Sequence, residues 1–261
     1  FLDHLEDLRT MFVRVIVTLL VSVLGTFIFY KELFEVILAP MAMPGFMKEG
    51  EDLRNFLTTL SPQEAFMTAV NISMIAGIII SFPLLLLFIL QFVLPGLRTN
   101  ERKILWPSIA IGGGLFLTGV CFSYFVVLPR ALEFFAEFAE SMGVRNDWRL
   151  GEYITFATRF ILIFGISFEL PVVVMALVKL DFLTYKVMST TRKHAIIGIA
   201  IFSAVITPTQ DILTLLLLAG PLYVLYEICI WLAYFIEKKE REMFPESFAE
   251  RDKDEAEPEK E

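Results

Sequence analysis

Polar and apolar positions divide the chain into six apolar runs, joined by five connectors and followed by a charged tail. The runs at about 11–29, 64–92, 104–128 and 153–178 reach the roughly 20 residues that a helix needs to cross a hydrocarbon core of about 30 Å. They predict four full-length spans. The run at about 194–206 is shorter, roughly 20 Å of helix. In the run at about 212–236, Pro221 and Glu227 interrupt the apolar character, so its purely apolar part ends at Tyr226. Two adjacent short spans predict local thinning of the bilayer.

The connectors have patterns of their own. Asp3–Arg9 sets Leu5, Leu8 and Phe12 on one helical face and Asp3, Glu6 and Asp7 on the other, which predicts a short interfacial helix leading into span one. Arg14 then lies one turn inside that span, within snorkelling reach of the headgroups. The connector 31–60 contains Pro40, Pro44, Gly45 and Gly50 and an apolar patch at Leu33, Phe34, Ile37 and Leu38, so a surface helix is expected there. It ends in Ser61-Pro62-Gln63-Glu64, a capping box with Ser as cap, Pro at the first helical position and Glu reaching back, which gives Ser61 and Glu64 structural roles. Pro83 should kink span two.

In span three, Gly112, Gly113, Gly114 and Gly119 provide a smooth surface for close helix contact, and Pro129 is expected to end the span. A second surface helix follows from Leu132, Phe135, Phe138 and Ala139. The stretch Thr207–Asp211 reads as a tight turn whose polar residues cap span six.

An apolar share of 56% with 26 Phe exceeds ordinary soluble usage and confirms the class implied by the pattern, an all-α polytopic membrane protein. The net charge of −8 does not describe its surface evenly, because residues 237–261 hold eleven acids and six bases. So polar a segment is expected to be disordered, leaving 1–236 as the bundle. Fifteen Lys and Arg fall on the side of the N-terminus, the second and fourth connectors and the tail, against six on the other side. Basic residues are retained in the cytoplasm, so both termini should lie there. Cys121 and Cys229 sit within apolar runs and read as packing residues. Phe1–Arg9 is amphipathic and 11–29 is long enough to remain in the membrane, so no cleavable signal is expected.

Two carboxylates stand out. Glu101 is the single acid in the basic connector Pro95–Lys103; it reads either as a helix N-terminal carboxylate favoured by the macrodipole or as a receptor carboxylate for a cationic peptide. Glu169 lies within span four, where a charge costs about 2.5–3.5 kcal/mol even on the gentlest scale. It must be protonated, paired or facing water, and either a functional group or a structural hydrogen bond to a neighbouring helix. His194, without partners at ligand spacing, is an interfacial residue rather than a metal ligand. There is no His-Glu-x-x-His, phosphate loop or Gly-x-Ser-x-Gly elbow. The pattern predicts no enzyme, no cofactor, no metal and no nucleic-acid partner.

Several motifs occur in order: His4-Leu5-Glu6-Asp7-Leu8-Arg9; Ser61-Pro62-x-Glu64-x-Phe66; Phe92-x-x-Pro95-Gly96-Leu97-x-x-x-Glu101-Arg102; Leu115-Phe116-x-x-Gly119-x-x-Phe122-x-Tyr124-Phe125; Phe164 to Val172; and Thr207-Pro208-Thr209-x-Asp211 with Pro221-Leu222 and Tyr226-Glu227. Together, from about Leu2 to Glu237, they resemble the TatC family, the receptor subunits of the twin-arginine protein translocase. The resemblance implies a curved, glove-shaped bundle of six transmembrane helices in the bacterial cytoplasmic (inner) membrane. It implies binding of Arg-Arg signal peptides of folded cargo at the cytoplasmic face, with export driven by the proton gradient. Implied partners are the single-span TatA and TatB subunits, in an oligomeric complex.

Carried over by position, Glu101 matches the family's main arginine-contacting carboxylate and Asp7 the second acidic site. Phe92 matches the aromatic beside them, and Arg9 and Lys103 match basic positions of the same face. Pro40 and Pro83 match family prolines, Pro95 and Asp211 belong to the connector motifs, and Glu169 matches the intramembrane carboxylate. The family commonly has Gln five residues after the span-two proline and an aromatic two later. Here Phe88 and Leu90 stand there and Gln91 is displaced, which removes the expected polar lining at Phe88. A reading from another class is a proton-coupled transporter of a small solute with Glu169 as coupling site; it calls for an internal repeat that residues 1–130 and 131–236 do not show.

Overall fold

The computed structural model describes residues 2–42, 57–93, 102–143, 148–179, 182–206 and 212–243. Pro95, Glu101, Thr207–Asp211 and residues 244–261 therefore lie outside the described residues. The chain forms two compact units, residues 1–169 with 206–209, and residues 170–205 with 210–261.

In the first unit, α1 is one helix, Leu2–Ile28, rather than an interfacial segment followed by a span. Nothing between Arg9 and Met11 breaks a helix, so the amphipathic turn and the apolar run propagate as one. The expected surface helix is present as α2, Tyr30–Leu38, with Ile37 and Leu38 buried. A 3₁₀ turn, Ala39–Ala42, follows with Pro40 and Met41 buried.

Helix α3, Glu64–Val93, runs through Pro83 without interruption. Helix α4 covers Arg102–Phe122, a π-helical turn Ser123–Val127 and helix α5 Leu128–Ser141, in direct succession. Pro129 thus does not end the helical run, contrary to the expectation from sequence. It occupies the first turn of α5, where its missing N–H leaves little unsatisfied. Residues Leu57 and Thr58 pair in parallel with Trp148 and Arg149, a two-residue ladder (β1, β2) within the helical chain.

Helix α6, Leu150–Ser167, ends in a turn at Phe168–Glu169, and α7, Leu170–Lys179, begins after it. The apolar pattern predicts one span here. Pro171 has no N–H to offer the Ser167 carbonyl, and the helix breaks at that point.

Glycines set the closest approaches. A Cβ at Gly77 would stand 2.8 Å from Val23 Cγ2 and 3.0 Å from Val23 Cα, so α1 and α3 meet backbone to backbone. Beside that contact Thr26 Oγ1 donates to the Ser73 carbonyl at 2.7 Å. A Cβ at Gly119 would lie 2.5 Å from the Phe164 carbonyl oxygen, which fixes α4 against α6. Around this contact Phe116, Phe160 and Phe164 are fully buried, and Phe82 stacks on Phe116 with centroids 3.6 Å apart.

The second unit holds α7, α8 (Tyr185–Thr190), α9 (Arg192–Ile206) and α10 (Ile212–Met243). Its core is Val174, Val178, Met188, Cys229, Ile230 and Ala233. The Tyr226 hydroxyl donates to the Met188 carbonyl, and Tyr185 N–H donates to the Glu237 carboxylate. Arg192 and Glu227 form an ion pair at 3.2 Å. Helix α10 continues to Met243, so the first residues of the charged tail are helical.

Among the described residues five helical stretches are long and apolar enough to cross a membrane: Leu5–Ile28, Glu64–Phe92, Ile109–Ser141, Leu150–Val178 and Thr214–Lys239. The chain is a multi-pass helical membrane protein. Helix α9, with 15 residues, is shorter than these, in line with the brief fifth apolar run.

Candidate functional site

On α1, Asp7, Thr10, Met11 and Arg14 follow one another at helical spacings of three and four, so they form one stripe. On α3, Phe88, Gln91 and Phe92 do the same in the last turns before Val93. The two stripes face one cavity of about 210 Å³ with predominantly polar walls. The structure therefore brings together Asp7 and Phe92, both singled out from sequence.

It also adds five residues that the sequence did not assign to the site: Thr10, Met11, Arg14, Phe88 and Gln91. Two of these carried a signal. Arg14 is a cation inside an apolar run, and Gln91 is a lone amide at the end of another. Phe88 does remove a polar group at its own position, as expected, but Gln91 one turn later restores polar lining to the same cavity. Asp7 and Arg14 share the stripe without forming an ion pair among the described residues. Arg9 is exposed on α1 and is not part of the lining. Lys103 falls in the first turn of α4 with its side chain outside the described set, as is Glu101 entirely.

Glu169 is separate from this cavity. It is 8% exposed and follows the end of α6, with its N–H donating to the Ile166 carbonyl at 3.0 Å. Its carboxyl lies against Gly112 of α4: a Cβ there would be 3.1 Å from Oε2 and 2.5 Å from Leu86 Cδ2. Gly112 thus makes the space in which the carboxyl lodges. Oε1 is buried and has no hydrogen-bond partner among the described residues. A buried acceptor left open in this way is costly, which makes it a position to be completed by another donor.

The residues given structural roles are tied in elsewhere. Glu64 Oε2 accepts from Leu60 N–H at 2.8 Å, one residue before the Ser61 N–H that a capping box would engage, and Oε1 accepts from Gly151 N–H at 2.9 Å. Ser61 takes part through its backbone, its carbonyl accepting from Glu64 N–H at 3.1 Å. Pro83 Cγ lies 3.7 Å from where a Gly113 Cβ would be, so ring and glycine pack α3 on α4. Two tyrosines complete this end: Tyr124 donates to the Val36 carbonyl at 2.6 Å, and buried Tyr153 donates to the Ile37 carbonyl.

Fold and site together define a polytopic helical membrane protein with a polar cavity at one end of two spans and a buried carboxyl within the bundle. Comparison with known proteins gives the family. Residues 3–221 match the family described as TatC, Sec-independent protein translocase protein. A relative of the same description from Akkermansia muciniphila is 51% identical over 205 residues, 78% of this chain and 59% of that protein. One from Carboxydothermus hydrogenoformans is 35% identical and is covered over 94% of its length. A crystal structure of a twin-arginine translocase receptor, TatC, superposes with a TM-score of 0.77 at 32% identity, covering 89% of this chain and 98% of that one. The chain belongs to the TatC family of protein translocase components, and it spans about three fifths of the length of the Akkermansia relative.

Proposed function

We propose that this chain is a receptor subunit that binds twin-arginine signal peptides at the cytoplasmic face of a bacterial inner membrane and supports proton-gradient-driven export of folded proteins. In this reading the chain crosses the membrane six times, α9 supplying the short fifth crossing, and both termini are cytoplasmic. The observation that carries the reading is the cavity that joins Asp7 on α1 to Phe92 on α3 in a chain of this family. A carboxylate beside an aromatic face suits a guanidinium, which offers a planar donor fork for the oxygens and stacks on the ring. Lys offers neither. In this reading the family's positions give Glu101 as the second carboxylate and Arg9 and Lys103 as accompanying basic groups.

Exposed ion pairs of this kind contribute only about 1 kcal/mol each, so the apolar stretch of the signal peptide adds the rest by lying against the spans. Partners are the single-span TatA and TatB subunits within an oligomeric complex. Glu169, with its open acceptor, offers a docking helix a hydrogen bond or serves as a protonatable switch. The test is affinity for an Arg-Arg peptide and its Lys-Lys counterpart, measured on the unmodified chain and on Glu101→Ala. Preference for Arg-Arg by about tenfold, lost in the variant, supports the reading. Equal binding in all four combinations overturns it.

A further inference from the structure

The cavity between α1 and α3 offers more hydrogen-bonding capacity than an arginine pair uses. Besides Asp7 it is lined by Arg14 and Gln91, both exposed and neither engaged with another described residue. Arg14 would repel an arginine side chain, so it does not serve the same ligand group as Asp7. It is also a cation placed within an apolar helix, an expensive position unless a polar cavity or partner receives it.

Spacing suggests what that partner is. Asp7 and Arg14 are two helical turns apart, about 10 Å along α1, the length of roughly three residues of extended peptide. Gln91 faces the same cavity from α3. A peptide whose guanidinium rests between Asp7 and Phe92 and whose chain continues toward the apolar middle of the spans meets Gln91, the neighbour of Phe92, at once and Arg14 within the next few residues. There its backbone N–H and C=O groups leave water and need partners. An amide side chain provides a donor and an acceptor, and a guanidinium provides donors for carbonyl oxygens.

We infer that Gln91 and Arg14 bind the main chain of the signal peptide just beyond its arginine pair, setting how deep the peptide sits, whereas Asp7 selects the arginine side chain. The inference rests on the receptor reading above and deepens it. It assigns specificity to Asp7 and register to Gln91 and Arg14.

The experiment uses the full chain in nanodiscs and four peptides: the Arg-Arg parent, its Lys-Lys counterpart, and Arg-Arg peptides N-methylated at the second or the third residue after the pair. One methylated peptide should bind the unmodified chain about fivefold more weakly than the parent, the loss of one hydrogen bond. Gln91→Leu should weaken Arg-Arg and Lys-Lys peptides by a similar factor, keep their ratio, and show no further loss on methylation. Arg14→Gln should weaken both peptides alike. Equal binding of parent and both methylated peptides overturns the inference without requiring any variant to fold. So does a changed Arg-Arg to Lys-Lys ratio in Gln91→Leu. Unaltered peptide affinity in Arg14→Gln, with reduced dependence on anionic lipid, would assign Arg14 to a lipid phosphate and overturn its half. Equal binding of Arg-Arg and Lys-Lys by the unmodified chain would instead remove the receptor reading itself.

Discussion

The two ends of the first unit spend their polar groups differently. Where the connectors after α1 and α5 meet, hydrogen bonds are used up internally. Tyr124 and Tyr153 bond to successive carbonyls at Val36 and Ile37, Glu64 bonds to Leu60 and Gly151, and the β1–β2 pair ties residues 57–58 to 148–149. Where α1 begins and α3 finishes, Asp7, Arg14 and Gln91 face a cavity and bond to no described residue. One end is a clamp and the other a socket. Residue type does not separate them, since an acid stands at each; what separates them is whether the acceptor's lone pairs are already occupied.

That contrast is broken most forcefully at Tyr153, which is 2% exposed and bonded to Ile37. Tyr153→Ala removes both a large buried ring and the partner of a carbonyl. It should destabilise the protein by about 3–5 kcal/mol, read as a marked drop in thermal midpoint of the purified chain. Tyr153→Phe, which deletes the hydroxyl alone, should cost about 1 kcal/mol. If Tyr153→Ala melts like the parent, the connectors are not a clamp.

At the socket the opposite profile is expected. Asp7→Asn leaves the thermal midpoint unchanged, because Asp7 holds nothing among the described residues, but reduces the preference for Arg-Arg over Lys-Lys peptides by about tenfold, or about 1.4 kcal/mol. A stability loss without a change in preference would make Asp7 part of the scaffold.

A smaller effect sharpens the comparison between the two acids. Both carboxylate oxygens of Glu64 accept from backbone N–H groups, and Gly151 is so close that a Cβ there would be 2.8 Å from Oε1. Glu64→Gln sets an NH₂ donor against one of those N–H donors. The thermal midpoint should fall, by less than in Tyr153→Ala, with peptide preference intact. An altered preference at unchanged stability would contradict the division of labour.

Much of the clamp and half of the socket were legible in the sequence. The apolar runs marked the spans, the capping-box pattern marked Glu64 as reaching back, though its partner is Leu60 N–H and not that of Ser61, and the family motifs marked Asp7 and Phe92. Breaks were less legible, because a proline's effect depends on its place within a turn. Pro129 fits the first turn of α5 and interrupts nothing, whereas the helix breaks just before Pro171. The Glu64–Gly151 bond joins residues 87 positions apart, and no local pattern encodes such a pairing. Gln91 was visible as a polar residue out of place, yet that it faces Asp7 depends on how α1 and α3 pack, which the close approach at Gly77 sets.

Glu169 belongs to neither end and provides the gentlest test of the same rule. Its carboxyl is buried against Gly112, unlike the half-buried Glu64, yet Oε1 is unbonded among the described residues, so it is unspent like Asp7. Glutamine has nearly the same shape and needs no ionisation, so Glu169→Gln should shift stability by no more than about 1 kcal/mol and leave peptide binding unchanged at the socket, whose lining does not include Glu169. What it removes is the protonatable carboxyl, an amide with one acceptor oxygen standing in its place. Co-purification with the single-span subunits, or export of a folded reporter, should therefore fall although the receptor still melts and binds as before. Should assembly and export both stay at parental levels, the open oxygen is a tolerated defect of packing, and an unspent polar group in this bundle does not by itself mark a site of action.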